Sequence, residues 1–233
     1  MSLFLRLPAL REFRGVDAQR TLTPLMWACG ERMSNVEVIM LKSCDLTDEA
    51  FTAILRSCKS LTDFDCHRRC SACSEIIVDY PGVIDELLYH KASLADLTLR
   101  SNDCGCNPNM QDSRAMSLTQ LDNVLKLNTD ESVIHGDQAY EEVSIHDMLP
   151  SHLQYFDLEA VGGNHHQPLV EQIAGLYRLR RELDLVAVSR TDFSRSEWGK
   201  IARKFKDVPL QHQEETGDTY GWVKWKRVSE YDW

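Results

Sequence analysis

No run of about 18 apolar residues occurs in the 233-residue chain, which excludes a transmembrane helix. The phosphate-cradling G-x-x-x-x-G-K-S/T, the dinucleotide-binding G-x-G-x-x-G and the zinc-hydrolase H-E-x-x-H patterns are all missing. His165 and His166 lie beside Gly162 and Gly163, but no serine or cysteine nucleophile motif accompanies them, so the chain is not expected to be an enzyme. Basic charge is also short. Lysine and arginine number 26 against 36 aspartates and glutamates, a formal net charge of -10, which argues against general affinity for nucleic acid or anionic membranes. Eight cysteines are too sparse for a disulfide-stapled mini-protein. The opening MSLFLRLPALREFRG turns charged too early for a secretory signal. These absences lead us to expect an intracellular protein, cytoplasmic or nuclear, with free thiols.

What is present is repetition. Hydrophobic residues make up 43% of the chain and charged residues 27%, ordinary values for one domain with a sizeable core. Within it an L-x-x-L-x-L pattern recurs at Val36, Ile39 and Leu41; at Leu61, Phe64 and Cys66; at Leu94, Leu97 and Leu99; at Val124, Leu127 and Thr129; and at Leu153, Phe156 and Leu158. A degraded sixth copy, with Leu183 and Leu185, is taken to start at Arg180, and Leu7 and Leu10 hint at a truncated first one. First positions 36, 61, 94, 124, 153 and 180 are 25, 33, 30, 29 and 27 residues apart. Such a period suits a unit of one short strand and one covering element, neither of which buries its apolar side until neighbours stack.

Helical spacing falls between these strands. Thr47 is an N-cap for a helix that carries Phe51, Ile54, Leu55 and Cys58 on one face. Pro81 opens a second, with Ile84, Leu87 and Leu88 inward, and Pro168 a third, with Leu169, Ile173 and Leu176. Ser194 with Glu197 forms a capping box before Trp198, Ile201 and Phe205. After Pro209, Leu210 to Gln213 and the Val223–Trp225 stretch flank the turn residues Thr216, Gly217 and Asp218 as a hairpin. The expected fold is α/β: a leucine-rich repeat solenoid over residues 1–206, with short parallel strands on the concave side and helices on the convex side. A C-terminal capping hairpin or tail would take residues 207–233.

The stretch VEVIMLKSCDLTDEAFTAILRSCKSLTDFDC, with Cys44, Thr47, Asp48 and Cys58, resembles the cysteine-containing class of leucine-rich repeat. Leu118 to Leu158, with Leu149, Pro150, Ser151, Leu153, Phe156 and Leu158, is similar to fungal F-box/leucine-rich repeat proteins. The resemblance covers roughly residues 30 to 190. It implies protein recognition, as the substrate-recognition part of a ubiquitin ligase receptor whose F-box bundle docks an adaptor. No F-box-like segment precedes the repeats in this sequence, so a ligase adaptor is not expected to bind this chain alone.

Alternate strand positions point away from the core. Counting two, four and six from each first position gives Val38, Met40, Lys42; Asp63, Asp65, His67; Asp96, Thr98, Arg100; Lys126, Asn128, Asp130; Tyr155, Asp157, Glu159; and Glu182, Asp184, Val186. Eight are acidic and three are lysine or arginine. The candidate partner-binding residues are Asp63, Asp65, Asp96, Arg100, Asp130, Tyr155, Asp157, Glu159, Glu182 and Asp184, and the expected partner is a protein with a basic segment. Lysines and arginines crowd Leu176 to Lys206 instead, a pattern that usually marks a solvated helix face.

Cys70 with Cys73, and Cys104 with Cys106, sit at matching offsets in consecutive repeats, which would bring four sulfurs together. Four thiolates suit structural zinc, with His67 as a substitute ligand. The spacing between the pairs is long for a zinc ribbon, and buried or loop thiols are the alternative, so no cofactor is expected unless that cluster forms. Cys29, Cys44 and Cys58 read as core positions.

Overall fold

The computed structural model describes residues 4–17, 30–44, 46–68, 80–101, 117–130, 133–134, 144–159, 166–180, 182–190, 210–216 and 221–227. Among them nine strands form one sheet. Seven run parallel in chain order: β1 (Glu12–Val16), β2 (Val38–Cys44), β3 (Asp63–Arg68), β4 (Asp96–Ser101), β5 (Lys126–Asp130), β6 (Tyr155–Glu159) and β7 (Leu185–Arg190). The hairpin strands β8 (Leu210–Thr216) and β9 (Gly221–Arg227) pair antiparallel, and β9 continues the sheet alongside β7. The hairpin expected from the turn residues therefore forms. The described helices are α1 (Asp48–Ser57), α2 (Tyr80–Leu87), α3 (Ile145–Met148) and α4 (His166–Leu179).

Each parallel strand from β2 to β7 is preceded by the same anchor. Val36, Leu61, Leu94, Val124, Leu153 and Leu183 are all fully buried. One residue after each anchor, a carbonyl accepts two N–H groups from the next unit. Arg11 O takes Glu37 N and Val38 N; Glu37 O takes Thr62 N and Asp63 N; Thr62 O takes Ala95 N and Asp96 N. The ladder runs on through Ala95, Leu125 and Gln154, all at 2.7–3.1 Å. Stacking of neighbours is thus written into the backbone at the strand entrances.

Inside the strands Ile39, Phe64, Leu97, Leu127, Phe156 and Val186 share one register, and Leu41, Cys66, Leu99, Thr129, Leu158 and Val188 the next. All twelve are buried, in one core with Phe51, Ile54 and Leu55 of α1, Val83, Ile84 and Leu87 of α2, and Ile173 and Leu176 of α4. Among the described residues the helices therefore cover this inner face. Sheets of parallel strands usually have both faces covered and read as continuous apolar runs. Here the strands alternate, and on β3 to β6 the outer face carries polar and charged side chains.

α1 begins where its sequence says it should. The Thr47 hydroxyl accepts from Ala50 N at 3.4 Å, and Asp48 and Glu49 complement the helix N-terminus. The Glu49 carboxyl is held below its usual range, first by a backbone hydrogen bond and then by the Thr47 hydroxyl. Cys44 and Cys58 are buried core residues as expected, and Cys66 joins them. Cys29 and the helix expected from Ser194 to Lys206 lie outside the described residues.

Two expectations change. β1 is a full strand and not a remnant at Leu7: Leu10 packs against the core, while Leu7 is exposed. The pattern fades at Gly15, which pairs with Leu41 and has no side chain to repeat the motif. A Cβ there would stand 3.1 Å from Leu41 Cδ2. The sixth copy starts at Leu183 and not at Arg180, because Leu185 aligns with Tyr155. Arg180 is a buried staple, 7% exposed. Its guanidinium donates to Leu149 O at 3.0 Å and His146 O at 2.7 Å, and also to Pro150 O, so it satisfies carbonyls within and just after α3. Burial pulls this guanidinium below its ordinary value, against the opposing fields of Glu182 and Asp147.

Candidate functional site: the outer strand face

The register fixes three rows across the outer face. The first holds Val38, Asp63, Asp96, Lys126, Tyr155 and Leu185; the second Met40, Asp65, Thr98, Asn128, Asp157 and Ala187; the third starts Lys42, His67 and Arg100. Moving the last strand into register removes Glu182 and Asp184 from this surface. Both are exposed, but they precede β7, and Asp184 N belongs to the entrance ladder through Gln154 O at 2.9 Å. Val186 points into the core instead of outward. Their places on β7 fall to Leu185, Ala187 and Ser189, which carry no charge.

Asp130 also leaves the candidate surface. It is 0% exposed, and its Oδ1 accepts Val133 N at 3.0 Å, closing the turn after β5. A side chain buried this way cannot meet a partner.

The remaining charges are unevenly spent. Arg100 on β4 reaches across β5: its Nε donates to Asn128 Oδ1 at 2.8 Å, and Nη2 lies 3.4 Å from Asp157 Oδ2. Nη1 lies 3.1 Å from Glu159 Oε2 on β6. One guanidinium thus ties three strands and neutralises much of the acidity of β6. Lys126 sits 3.3 Å from Asp96 Oδ2, an exposed pair of small energetic worth. Tyr155, half-buried beside this network, has its phenol pushed up by burial first and then by Asp157, with Arg100 opposing.

β3 is different. Asp63 accepts Thr62 Oγ1 at 2.6 Å, and Asp65 lies 2.9 Å from His67 Nε2. No lysine or arginine pairs with either aspartate among the described residues. Sequence reasoning named Arg100, Asp96 and the β6 acids but missed Asn128 as a partner of Arg100 and Lys126 as the partner of Asp96. The offset arithmetic already held that signal, since 96 and 126, and 100, 128, 157 and 159, fall on adjoining strands.

The cysteines considered for zinc, Cys70, Cys73, Cys104 and Cys106, lie outside the described residues. His67, the substitute ligand, is engaged with Asp65. No helix among the described residues is long and apolar enough to cross a membrane. A scan of protein-family models finds no match to this chain, and a search of curated proteins finds none either.

Proposed function

We propose that the chain is a protein-recognition scaffold, a leucine-rich repeat solenoid closed at one end by the β8–β9 hairpin, whose outer strand face binds a partner protein. The observation that carries this is the asymmetry of the sheet: six of the seven parallel strands, β2 to β7, bury one kind of residue inward and present a different set on each strand outward. A packed stack needs the first feature. The second has no role in packing and leaves a wide surface free for specificity. β9 supports the cap, because it pairs along the last parallel strand from Leu185 to Arg190 and covers an edge that would otherwise stay open.

The partner we propose carries a basic segment that docks over β3, where Asp63 and Asp65 are not matched by lysine or arginine among the described residues. The pull is more local than composition suggests, because Arg100 and Lys126 already offset the acids of β4 and β6. By its resemblance the scaffold is the substrate-recognition part of an F-box type ubiquitin ligase receptor. Direct binding of a ligase adaptor to this chain alone is expected to fail. Pull-down from lysate at low salt, with a matched high-salt wash, tests the reading. A partner lost at high salt and lost by Asp63→Asn/Asp65→Asn supports it; a partner indifferent to both contradicts it.

A second reading is a zinc-stabilised protein using Cys70, Cys73, Cys104 and Cys106. It is favoured by one register: Arg68 at the end of β3 pairs with Ser101 at the end of β4, so the two cysteine-bearing segments depart from adjacent strands. Stoichiometric zinc in the purified protein, released by a thiol reagent, would support it.

A further inference from the structure

Away from the strand face, the entrance side of the first units holds a cavity of about 150 Å³, lined by Glu31, Arg32, Arg56, Cys58, Tyr89 and His90. His90, 3% exposed, and Cys58, fully buried, are the enclosed part of its lining. His90 spends both ring nitrogens on the fold: Nδ1 accepts Leu61 N at 3.4 Å, which makes Nε2 the donor to Leu55 O at 2.9 Å. Both arginines are open to solvent, yet each is tethered by hydrogen bonds. Arg56 gives Nε and Nη2 to Glu86 at 2.7 and 2.8 Å, and its Cζ stands 5.3 Å from the Tyr89 ring centroid. This leaves Nη1, whose contact with the exposed Glu31 is loose at 3.6 Å. Arg32 adopts a left-handed backbone, φ 54°, and its N–H donates to Arg56 O at 2.8 Å. Its Nη2 donates to Lys59 O at 2.9 Å, and no carboxylate pairs with it among the described residues.

We propose that this cavity binds a carboxylate between Arg32 and Arg56 Nη1, displacing Glu31. Charge selects the class. Arg56 is held by Glu86, which is fixed, and meets Glu31 only loosely, while no carboxylate pairs with Arg32 among the described residues, so the wall has room for one negative charge once Glu31 swings out. A monoanionic carboxylate restores neutrality, whereas a phosphate dianion would overshoot. Left-handed backbone at a non-glycine residue is costly, and here it aims a charged side chain at a cavity. The carboxylate has two possible sources, a small organic acid or the acidic side chain of a peptide.

The test is NMR titration of the full chain, observing the arginine Nε signals and the His90 ring, at constant ionic strength. The probes are sodium acetate, an N-acetylated and amidated Gly-Glu-Gly tripeptide, and inorganic phosphate. Saturable shifts at Arg32 and Arg56, with a His90 titration moved upward by the added anion, are expected. Binding should be about tenfold weaker in Arg32→Gln, the scale of one charge-assisted hydrogen bond, and about threefold tighter in Glu31→Gln. Saturation by acetate alone assigns a small organic acid, and tighter binding of the tripeptide assigns a protein carboxylate; either supports the site. Linear shifts without saturation, tighter binding of phosphate, or equal affinity in wild type and Arg32→Gln would overturn it. Glu31→Gln keeps the test decisive if Arg32→Gln perturbs the fold, because an unchanged affinity there also contradicts displacement.

Discussion

On the inner face, the register shared by Ile39, Phe64, Leu97, Leu127, Phe156 and Val186 holds nothing but large apolar side chains. One residue earlier, on the outer face, the same six strands hold Val38, Asp63, Asp96, Lys126, Tyr155 and Leu185. The inner set answers to a single demand, removal of apolar surface from water, which every strand feels alike. The outer set answers to something that differs from strand to strand. Substitutions on the two faces should therefore separate stability from binding.

The largest effect is expected inside. Phe156→Ala leaves a void in a fully buried position and should cost about 4 kcal/mol in urea unfolding. Arg180→Met comes next, at about 3 kcal/mol, because it strands the carbonyls of His146, Leu149 and Pro150 that the guanidinium now satisfies. This variant sharpens the comparison, since it shows a charged residue doing inner-face work.

His90 offers a smaller, pH-dependent effect. Burial pushes its imidazole below the ordinary value, against the Leu55 carbonyl and with the help of Arg32. The fold therefore prefers neutral His90, and the unfolded chain takes up the proton first as pH falls. Stability from this group is complete above about pH 6.5 and drains as pH drops toward the depressed folded value, by no more than about 1.4 kcal/mol per pH unit. Urea midpoints at pH 7.5 and 5.5 should fall with acid in the wild type and fall less in His90→Gln.

The smallest stability effect belongs to the outer face. Asp63→Asn/Asp65→Asn should shift unfolding by no more than about 0.5 kcal/mol. A loss above about 2 kcal/mol would mean that these aspartates serve the fold and that the two faces are not separable.

Strand anchors were readable from sequence wherever three apolar residues kept their spacing, as in Leu94, Leu97 and Leu99. The α1 cap at Thr47 and the pairing of β8 with β9 were readable because capping and turn chemistry are local. β1 was not, since Gly15 removes the third anchor and only pairing with Leu41 restores it. β7 was misplaced for a different reason: Arg180 was counted as an anchor, although Leu183, Val186 and Val188 fit the pattern and the burial. Asp130 looked like a surface acid because a strand count cannot see the turn that folds Val133 N back onto it. The Arg32–Arg56 cavity had no sequence signal, because its walls come from three separate segments.

The measurement closest to the central claim compares wild type and Asp63→Asn/Asp65→Asn in pull-downs at low and high salt, with the Tm of both proteins recorded. The account predicts an unchanged Tm and a partner held by the wild type at low salt, lost at high salt and not captured by the variant. A partner captured equally by both proteins, at either salt, would contradict recognition by the outer strand face.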